Sequence, residues 1–272
     1  MYTMKQNKIT FHGDGVKIKI AIITIDDPIY VPQVIKELVN KIPKKMEIKS
    51  ITVLPAVPKK FSKLGFIHYQ HRLMGTVQFS KILKNYLNKK IKNFLKIDGM
   101  NVICENYKID LIKNLSTTTK EYQQILKNNK IDVIVSIASP EKFNAELINS
   151  PKKACINVHA GKLPKYRGIN PTFWALFNRE SNSAVTVHHI SEKFDDGNIL
   201  NQEFFDLKNI SSLDQAYKKI IKITPKIIIK TLEEIEKGTV NEKINDSTNS
   251  SYFSFPTIED GKEFRKKGLK FI

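Results

Sequence analysis

Apolar residues follow two different periods along the chain, and the two periods alternate. Continuous or alternating apolar runs, which predict strands, occur at residues 16–25, 47–56, 101–107, 131–138, 154–160, 184–192 and 198–207. Apolar residues at three- and four-residue spacing, which predict helices, occur at residues 32–41, 78–96, 121–129, 140–150, 170–178 and 212–238. This alternation over short links predicts an α/β fold with a mainly parallel, Rossmann-like sheet.

The same patterns divide the chain into three parts. Residues 1–15 are mostly polar and predict a flexible extension, whereas residues 16–207 carry the strand and helix alternation of one large domain. Residues 208–272 predict a small helical and aromatic extension, too short for a core of its own and expected to dock on the domain. We expect Pro225 to kink or divide its long helix. Residues 57–72 show neither period and predict irregular structure.

The formal net charge of +18 suggests a nucleic-acid partner, but the kind of basic residue argues against it. Only four of the 45 basic residues are Arg. Recognition of phosphates and base edges favours the two-pronged Arg side chain, and the lysines are spread over most of the predicted helices. We therefore expect a solvated basic surface that attracts small anions, with nucleic-acid binding as the alternative.

The cysteines and the apolar runs predict a cytoplasmic protein. Cys104 and Cys155 both lie in segments that predict strands, so we expect two buried thiols rather than a disulfide or a metal site. The sequence has no apolar run long enough to span a bilayer, and its first residues lack the apolar centre of a signal peptide. Neither a membrane nor a metal is expected.

The turn after the first strand excludes the usual nucleotide-binding motifs. A dinucleotide site needs a glycine-rich turn there so that the backbone can approach a pyrophosphate. The sequence instead has TIDDPIY, residues 24–30, with two acidic residues and no Gly. The chain also lacks the Walker, HExxH and GxSxG patterns. NAD, ATP and zinc-dependent hydrolysis are therefore not expected.

Polar side chains at the end of one strand predict a catalytic site. Asn157 and His159 are two residues apart in the strand at 154–160, so both face the same side of the sheet at its carboxyl edge. Asp195 lies in a Gly-containing loop that can return to this edge. An amide, an imidazole and a carboxylate suit attack of an amine on an activated carbonyl. His188 and His189 alternate on another strand, and we expect them to serve packing or surface roles.

The segments CINVHAGKLPKYRGINP (155–171) and AVTVHHISEKFDDGNIL (184–200) resemble the signature of the folate-dependent formyltransferases. That family includes glycinamide ribonucleotide, methionyl-tRNA and sugar-nucleotide enzymes. The resemblance covers residues 131–207 and is weaker over 16–130. It implies the formyltransferase type of Rossmann-like fold, with residues 16–207 as the catalytic domain. It also implies transfer of a formyl group from N10-formyltetrahydrofolate, as co-substrate, to a primary amine.

The resemblance also implies roles for individual residues. Asn157, His159 and Asp195 match the catalytic positions, and Asp195 matches rather than Asp196 because it follows Phe194 and precedes Gly197 by two. The pterin is expected against the turn at 138–143 and the loop at 191–197. The cofactor-binding candidates are Ser139, Lys142, Phe143 and Phe194. The candidates for the substrate loop are Lys162, Pro164, Tyr166, Arg167 and Gly168; Arg167 either anchors the loop or reaches a substrate phosphate.

The acceptor amine is chosen by elimination. By the resemblance, members that formylate initiator tRNA are longer chains with a C-terminal β-barrel, for which residues 208–272 are too few. Purine-pathway members have a Gly-rich phosphate loop after strand one, which TIDDPIY does not supply. We therefore expect a small anionic acceptor, an amino-sugar nucleotide, and a possible homodimer. The alternatives are a methionyl-tRNA formyltransferase-like enzyme, a formyltetrahydrofolate hydrolase that uses water in place of the amine, and a non-catalytic basic binding protein.

Overall fold

The computed structural model describes residues 17–272, and the extension expected at residues 1–15 lies outside them. Within the described range the strands are β1 (Ile18–Ile25), β2 (Met46–Leu54), β3 (Asp110–Lys113), β4 (Val133–Ile137), β5 (Ala154–His159), β6 (Arg167–Gly168), β7 (Asn182–His189), β8 (Ile199–Asp206) and β9 (Tyr252–Phe253). The helices are α1 (Val31–Lys41), α2 (Lys63–Met74), α3 (Thr76–Phe94), α4 (Met100–Tyr107), α5 (Lys120–Asn128), α6 (Ala145–Ile148), α7 (Pro171–Phe177), α8 (Leu213–Lys237) and α9 (Ile258–Lys266).

Seven of the described strands form one sheet, in the order β3-β2-β1-β4-β5-β7-β8. The pairs from β3 to β5 are parallel, whereas β5–β7 and β7–β8 are antiparallel. The expected α/β fold with a mainly parallel sheet is therefore confirmed. The reversal at β7 brings the end of β7 and the loop after it to the region beside β5, where the predicted site residues lie.

Helices cover both faces of the sheet, and the strands are buried on both sides. Along β1, Ile20 and Ile22 belong to the larger core cluster, and Ala21 and Ile23 belong to a smaller cluster on the opposite face. Helices α1 and α8 pack in the larger cluster, and α5 packs in the smaller one. Burial on both faces explains why the central strands are continuous apolar runs in the sequence.

The C-terminal part packs on the same core as the sheet. Helix α8 starts with a capping box formed by Ser212 and Gln215, and it continues through the buried Pro225, which does not divide it. Phe264 of α9 is fully buried, and its ring stacks on Phe173 with 4.6 Å between ring centroids. The expected docking of the extension is therefore present.

Three local predictions were wrong. Residues 101–107 lie in helix α4 rather than a strand; Ile103 and Cys104 are buried on its inner side, and their adjacency in the sequence imitates a strand. The irregular structure predicted at residues 57–72 ends at Ser62, and the residues that follow form α2. The Ser62 side chain caps this helix by accepting a hydrogen bond from the backbone N–H of Gly65. The helix predicted at residues 140–150 shortens to α6, because Asn144 rather than Pro140 provides its cap.

The two cysteines are buried, as the sequence patterns predict. Cys104 and Cys155 are both buried, and burial raises the pKa of Cys104 to about 11 and that of Cys155 to about 12. Both groups therefore stay protonated at neutral pH and act as packing residues. Among residues 17–272, no helix combines the length and the apolar composition needed to cross a bilayer.

Candidate active site

Strand β5 ends in the two polar residues that the motif predicts. Its apolar residues Ile156 and Val158 belong to the larger core cluster, so Asn157 and His159 lie on the opposite face. Asp195 lies in the loop between β7 and β8, with a left-handed backbone at φ 50°. Gly168 lies earlier in the chain, in β6, at the end of the loop that starts after β5.

These elements bring the predicted amide, imidazole and carboxylate together. Asp195 Oδ1 lies 3.5 Å from His159 Nδ1 and 3.4 Å from Asn157 Nδ2. The other oxygen, Asp195 Oδ2, accepts a hydrogen bond from the backbone N–H of Gly168 at 2.8 Å. The convergence expected from the sequence is therefore present, and the catalytic roles of the three residues stay predictions.

His188 joins this group, although the sequence patterns favoured a packing role. It lies directly opposite Asn157 in the β5–β7 pairing, so the two side chains face the same side. Its Nε2 is 3.1 Å from Asn157 Nδ2 and 3.4 Å from Asp195 Oδ1, and the residue is 2% exposed. Its Nδ1 is 2.7 Å from the carbonyl oxygen of His189, which identifies Nδ1 as a donor. A neutral His188 therefore accepts from Asn157 through Nε2.

The hydrogen bonds of His159 define its tautomer. Nε2 is 2.7 Å from the carbonyl oxygen of Tyr166, which can only accept, so Nε2 carries a hydrogen and Nδ1 faces Asp195. Burial lowers the pKa of His159 below 6.5, while the charge of Asp195 opposes that shift. When His159 takes up a proton, both ring nitrogens have an acceptor. The hydrogen-bonding geometry thus accommodates an imidazolium, although burial disfavours this charged form.

Asp195 is held ionised by its neighbours. Burial acts to raise its pKa, but the charge of His159, the nearby His188 ring and the hydrogen bond from the Gly168 N–H together hold the pKa well below its usual value. A buried carboxylate that stays charged near neutral pH can accept a proton from a reacting group. Asp195 therefore supplies a fixed negative charge in this site.

The predicted substrate loop is mostly tied into the protein. Tyr166 is 4% exposed and its hydroxyl donates to Glu180 at 2.8 Å. Lys162 donates to the same carboxylate group at 3.2 Å. Pro164 lies half-buried between them in the chain. These side chains shape the loop, and its contribution to the site comes from backbone atoms, the carbonyl of Tyr166 and the N–H of Gly168.

Arg167 anchors the loop, which was one of the two roles expected for it. Its guanidinium pairs with Asp196 at 2.5 Å and donates to the side chain and the carbonyl oxygen of Asn245 at 2.9 and 3.0 Å. At 7% exposure it is enclosed by these partners. Its contacts therefore favour the anchoring role over contact with a substrate phosphate.

The four cofactor-binding candidates differ in their accessibility. Phe143 is 4% exposed and packs in the smaller core cluster, so its ring serves packing. Ser139 Oγ accepts from the backbone N–H of Glu141 at 3.3 Å, and Lys142 is exposed on the same turn. Phe194 is 55% exposed immediately before Asp195. Of the two aromatic candidates, only Phe194 presents its ring to solvent beside the site.

The turn after β1 carries acidic side chains where many α/β proteins bind phosphate. Asp27 Oδ1 accepts from the backbone N–H groups of Ile29 and Tyr30 at 2.7 and 3.2 Å, at the entrance to α1. Burial raises the pKa of Asp27, although the two backbone hydrogen bonds oppose the shift. Asp26 pairs with Lys90 at 2.5 Å. The protein's own carboxylates therefore take the positions that an anion would need.

The comparison with protein families identifies the family of the chain. The model of the family described as formyl transferase matches residues 78–232, which is more than half of the chain. The chain belongs to the formyl transferase family. The resemblance inferred from the two sequence motifs is therefore confirmed, and the matched region contains Asn157, His159, His188 and Asp195.

Several curated proteins are similar to this formyl transferase family member. The methionyl-tRNA formyltransferase of Thermotoga neapolitana is 26% identical over 203 residues, which cover 69% of this chain and 65% of that protein. The methionyl-tRNA formyltransferase of Lachnospira eligens is 35% identical over 146 residues, 53% of this chain and 46% of that protein. The chain thus spans about half the length of many of the curated relatives it matches.

Solved structures share the fold over most of the chain. The glycinamide ribonucleotide transformylase 1 of Symbiobacterium toebii has a TM-score of 0.57 at 11% identity, covering 89% of this chain and 100% of that one. A 4-N formyltransferase from Francisella tularensis has a TM-score of 0.56 at 20% identity, covering 89% and 78%. The N-formyltransferase of Helicobacter canadensis, in complex with folinic acid and dTDP-3-aminofucose, has a TM-score of 0.56 at 16% identity, covering 94% and 84%.

Proposed function

We propose that this protein transfers a formyl group from N10-formyltetrahydrofolate to the primary amine of an amino-sugar nucleotide. The observation that carries the proposal is the convergence of Asn157 and His159 on one carboxylate oxygen of Asp195, within 3.5 Å. Among residues 17–272, no Ser or Cys side chain is hydrogen-bonded to His159 or to the Asp195 carboxylate, so the chemistry that this group suits is direct transfer between two bound partners.

The reaction follows from the groups in the site. The amine nitrogen attacks the formyl carbon, and the carbonyl electron pair moves onto oxygen to give a tetrahedral intermediate. Its collapse breaks the bond between the formyl carbon and N10, and N10 regains a proton as the amine loses one. The amide of Asn157 and, in the protonated form of the ring, the Nδ1–H of His159 stabilise the oxyanion, and each such donor contributes about 3–4 kcal/mol.

Asp195 takes the proton that the attacking amine releases, directly or through one water molecule. Its pKa is held well below the usual value, so the carboxylate is ionised but weakly basic, and it relays the proton rather than keeping it. Asn157 Nδ2 already has His188 and Asp195 as acceptors, the second at 3.4 Å. Donation to the oxyanion therefore exchanges the longer contact to Asp195 for a bond to the reacting oxygen.

The acceptor class rests on the turn after β1. Asp27 occupies the backbone donors at the entrance to α1, and a substrate phosphate at this position would face a second acidic residue, Asp26. This arrangement disfavours an acceptor whose phosphate binds there, as expected for the purine-pathway class. An amino-sugar nucleotide with its phosphates elsewhere on the basic surface fits the charge of the chain.

Methionyl-tRNA is the second candidate acceptor, because two observations favour it. The similar curated proteins include methionyl-tRNA formyltransferases, and the net charge of +18 suits a polyanion. Hydrolysis of the folate by water in the same site is a third reaction that the residues could support.

One experiment separates these candidates. The protein is incubated with N10-formyltetrahydrofolate and, in separate reactions, amino-sugar nucleotides, glycinamide ribonucleotide and charged initiator tRNA. We expect the mass gain of one formyl group on an amino-sugar nucleotide. Formylation of the charged tRNA would replace the acceptor, formate release without any acceptor would identify a hydrolase, and the absence of folate turnover in every reaction would refute the proposed function.

A further inference from the structure

Residues 245–253 contact both loops that form the candidate site, the loop after β5 and the loop between β7 and β8. We call these residues the rear segment. Its first residue, Asn245, is 6% exposed. Asn245 Nδ2 donates to the carbonyl oxygen of Asp195 at 2.8 Å and to that of Gly197 at 3.1 Å. The amide therefore holds the backbone at Asp195 and two residues beyond it.

The same amide connects this loop to the loop after β5. Asn245 Oδ1 accepts from the guanidinium of Arg167 at 2.9 Å, and the Asn245 carbonyl oxygen accepts from the same nitrogen at 3.0 Å. Arg167 in turn pairs with Asp196 at 2.5 Å. Asn245 thus uses its donor toward one loop and its acceptor toward the other, a combination that a carboxamide provides and a carboxylate does not.

The far end of the rear segment supports the atoms that contact the imidazole and the carboxylate. The backbone N–H of Arg167 donates to the carbonyl oxygen of Ser251 at 2.8 Å, and the N–H of Tyr166 donates to Ser251 Oγ at 2.9 Å. The pairing of β6 with β9 continues this contact. The supported residues supply the Tyr166 carbonyl to His159 and the Gly168 N–H to Asp195.

We propose that Asn245 is a positioning residue for formyl transfer, which fixes the Asp195 carboxylate beside the His159 imidazole. The proposal rests on the proposed function, because it takes Asp195 as catalytic. Asp195 has a left-handed backbone at φ 50°, a conformation that non-glycine residues adopt rarely and that neighbouring contacts must hold. Asn245 supplies that contact directly, through the carbonyl oxygen of Asp195 itself.

The test compares three variants of the full chain. Asn245→Ala removes both hydrogen-bonding functions, and Asn245→Asp keeps the acceptor for Arg167 but loses the donor for Asp195 and Gly197. Asn249→Ala is the matched control, since Asn249 is exposed in the same segment and its amide donates to Asp246. Two quantities are measured: the kinetic constants for formyl transfer, and the pKa of His159 by NMR of protein with ¹⁵N-labelled histidine.

We expect kcat to fall about 10²-fold in Asn245→Ala and Asn245→Asp, because small displacements of a reacting group cost that much. KM for the folate should change little. The His159 pKa should fall in Asn245→Ala, since a displaced Asp195 no longer favours the imidazolium, and it should fall less in Asn245→Asp, because the added negative charge opposes the change. The control should match the wild type in both quantities. Asn245→Asp should fold even where Asn245→Ala does not, because it keeps its size and its contact with Arg167.

Two results would overturn the proposal. Wild-type kcat and wild-type His159 pKa in Asn245→Asp would show that the amide acts through Arg167 alone. Loss of thermal stability with an unchanged His159 pKa in the folded protein would reduce Asn245 to a structural residue. The NMR measurement needs no turnover, so it still tests the position of Asp195 if the wild type fails to transfer a formyl group, which would be a failure of the proposed function instead.

Discussion

Replacing Asp195 with Asn should lower the pKa of His159, and the size of this change tests the geometry of the site. In the wild type, burial lowers the pKa of His159, and the Asp195 carboxylate is the main group that opposes the shift. His188 is the other titratable neighbour and acts in the same direction as burial. Asn keeps the size of the side chain but removes the opposing charge.

The distance between the two groups sets the magnitude. Asp195 Oδ1 lies 3.5 Å from His159 Nδ1, with side chains 11% and 6% exposed. Two unit charges at that distance in a medium with an effective dielectric constant of about 20 attract by roughly 5 kcal/mol, equivalent to an upper limit of about 3.5 pKa units. We therefore expect a decrease of about 1–3 units. Formyl transfer should fall by about 10²–10⁴-fold.

The assay follows the six histidines of the chain through a pH titration by ¹⁵N NMR, with His159 assigned from the spectrum of His159→Gln. Asp196→Asn is the matched control, because this neighbouring carboxylate pairs with Arg167 and makes no contact with the imidazole. A His159 pKa that moves by less than a few tenths in Asp195→Asn, or as much in Asp196→Asn, would show that Asp195 is not its counter-charge.

The same titration has a consequence for stability. Because the pKa of folded His159 lies below the unfolded value of 6.5, the unfolded chain binds more protons between these two values. The associated stability is present above pH 6.5 and is lost as the pH falls through the folded pKa. Since Asp195→Asn lowers the folded pKa further, its loss of stability should extend to lower pH than in the wild type.

Four further substitutions probe the surroundings of the site. Gly161→Ala should reduce kcat while circular dichroism stays native, because the new Cβ would lie 2.6 Å from His159 Nε2; unchanged kcat would mean that the imidazole has room to move. His188→Gln should reduce kcat by about 10-fold or more through the orientation of Asn157, and full activity would return His188 to a packing role. Phe194→Ala should raise KM for the folate with little change in kcat, and an unchanged KM would place the pterin elsewhere. Phe264→Ala should lower the free energy of unfolding in urea by about 3–5 kcal/mol, because this ring is fully buried; a loss below about 1 kcal/mol would indicate that the C-terminal part is not integral to the core.

The periodicity of the sequence predicted most of the sheet because the central strands are buried on both faces. β1, β2, β4 and β5 are continuous or alternating apolar runs that few other elements produce. β3 was missed because it is short, lies at the edge of the sheet and begins with the exposed Asp110. α4 was mistaken for a strand since its buried residues are adjacent as well as helically spaced.

The site itself was predictable only in part, and the difference is physical. Asn157 and His159 were found from one strand, since the period of a strand alone places them on one face. His188 needed the antiparallel register that sets it opposite Asn157, and Asn245 needed the position of a polar segment far along the chain. Local period does not encode either relation. Sequence periodicity therefore reveals residues that act within one element, but it does not reveal residues whose role depends on contacts between distant segments.

The fold changes the charge states of the imidazole and the carboxylate in the site. At the exposed end of a strand, an imidazole and a carboxylate would have pKa values near those of free side chains. Burial lowers the pKa of His159, and the partners of Asp195 hold its carboxylate ionised at 11% exposure. Of those partners, the Gly168 N–H lies in β6, which pairs with β9, and Asn245 holds the backbone of Asp195 itself. The C-terminal part of the chain thus supports the two loops that bring His159 and Asp195 together.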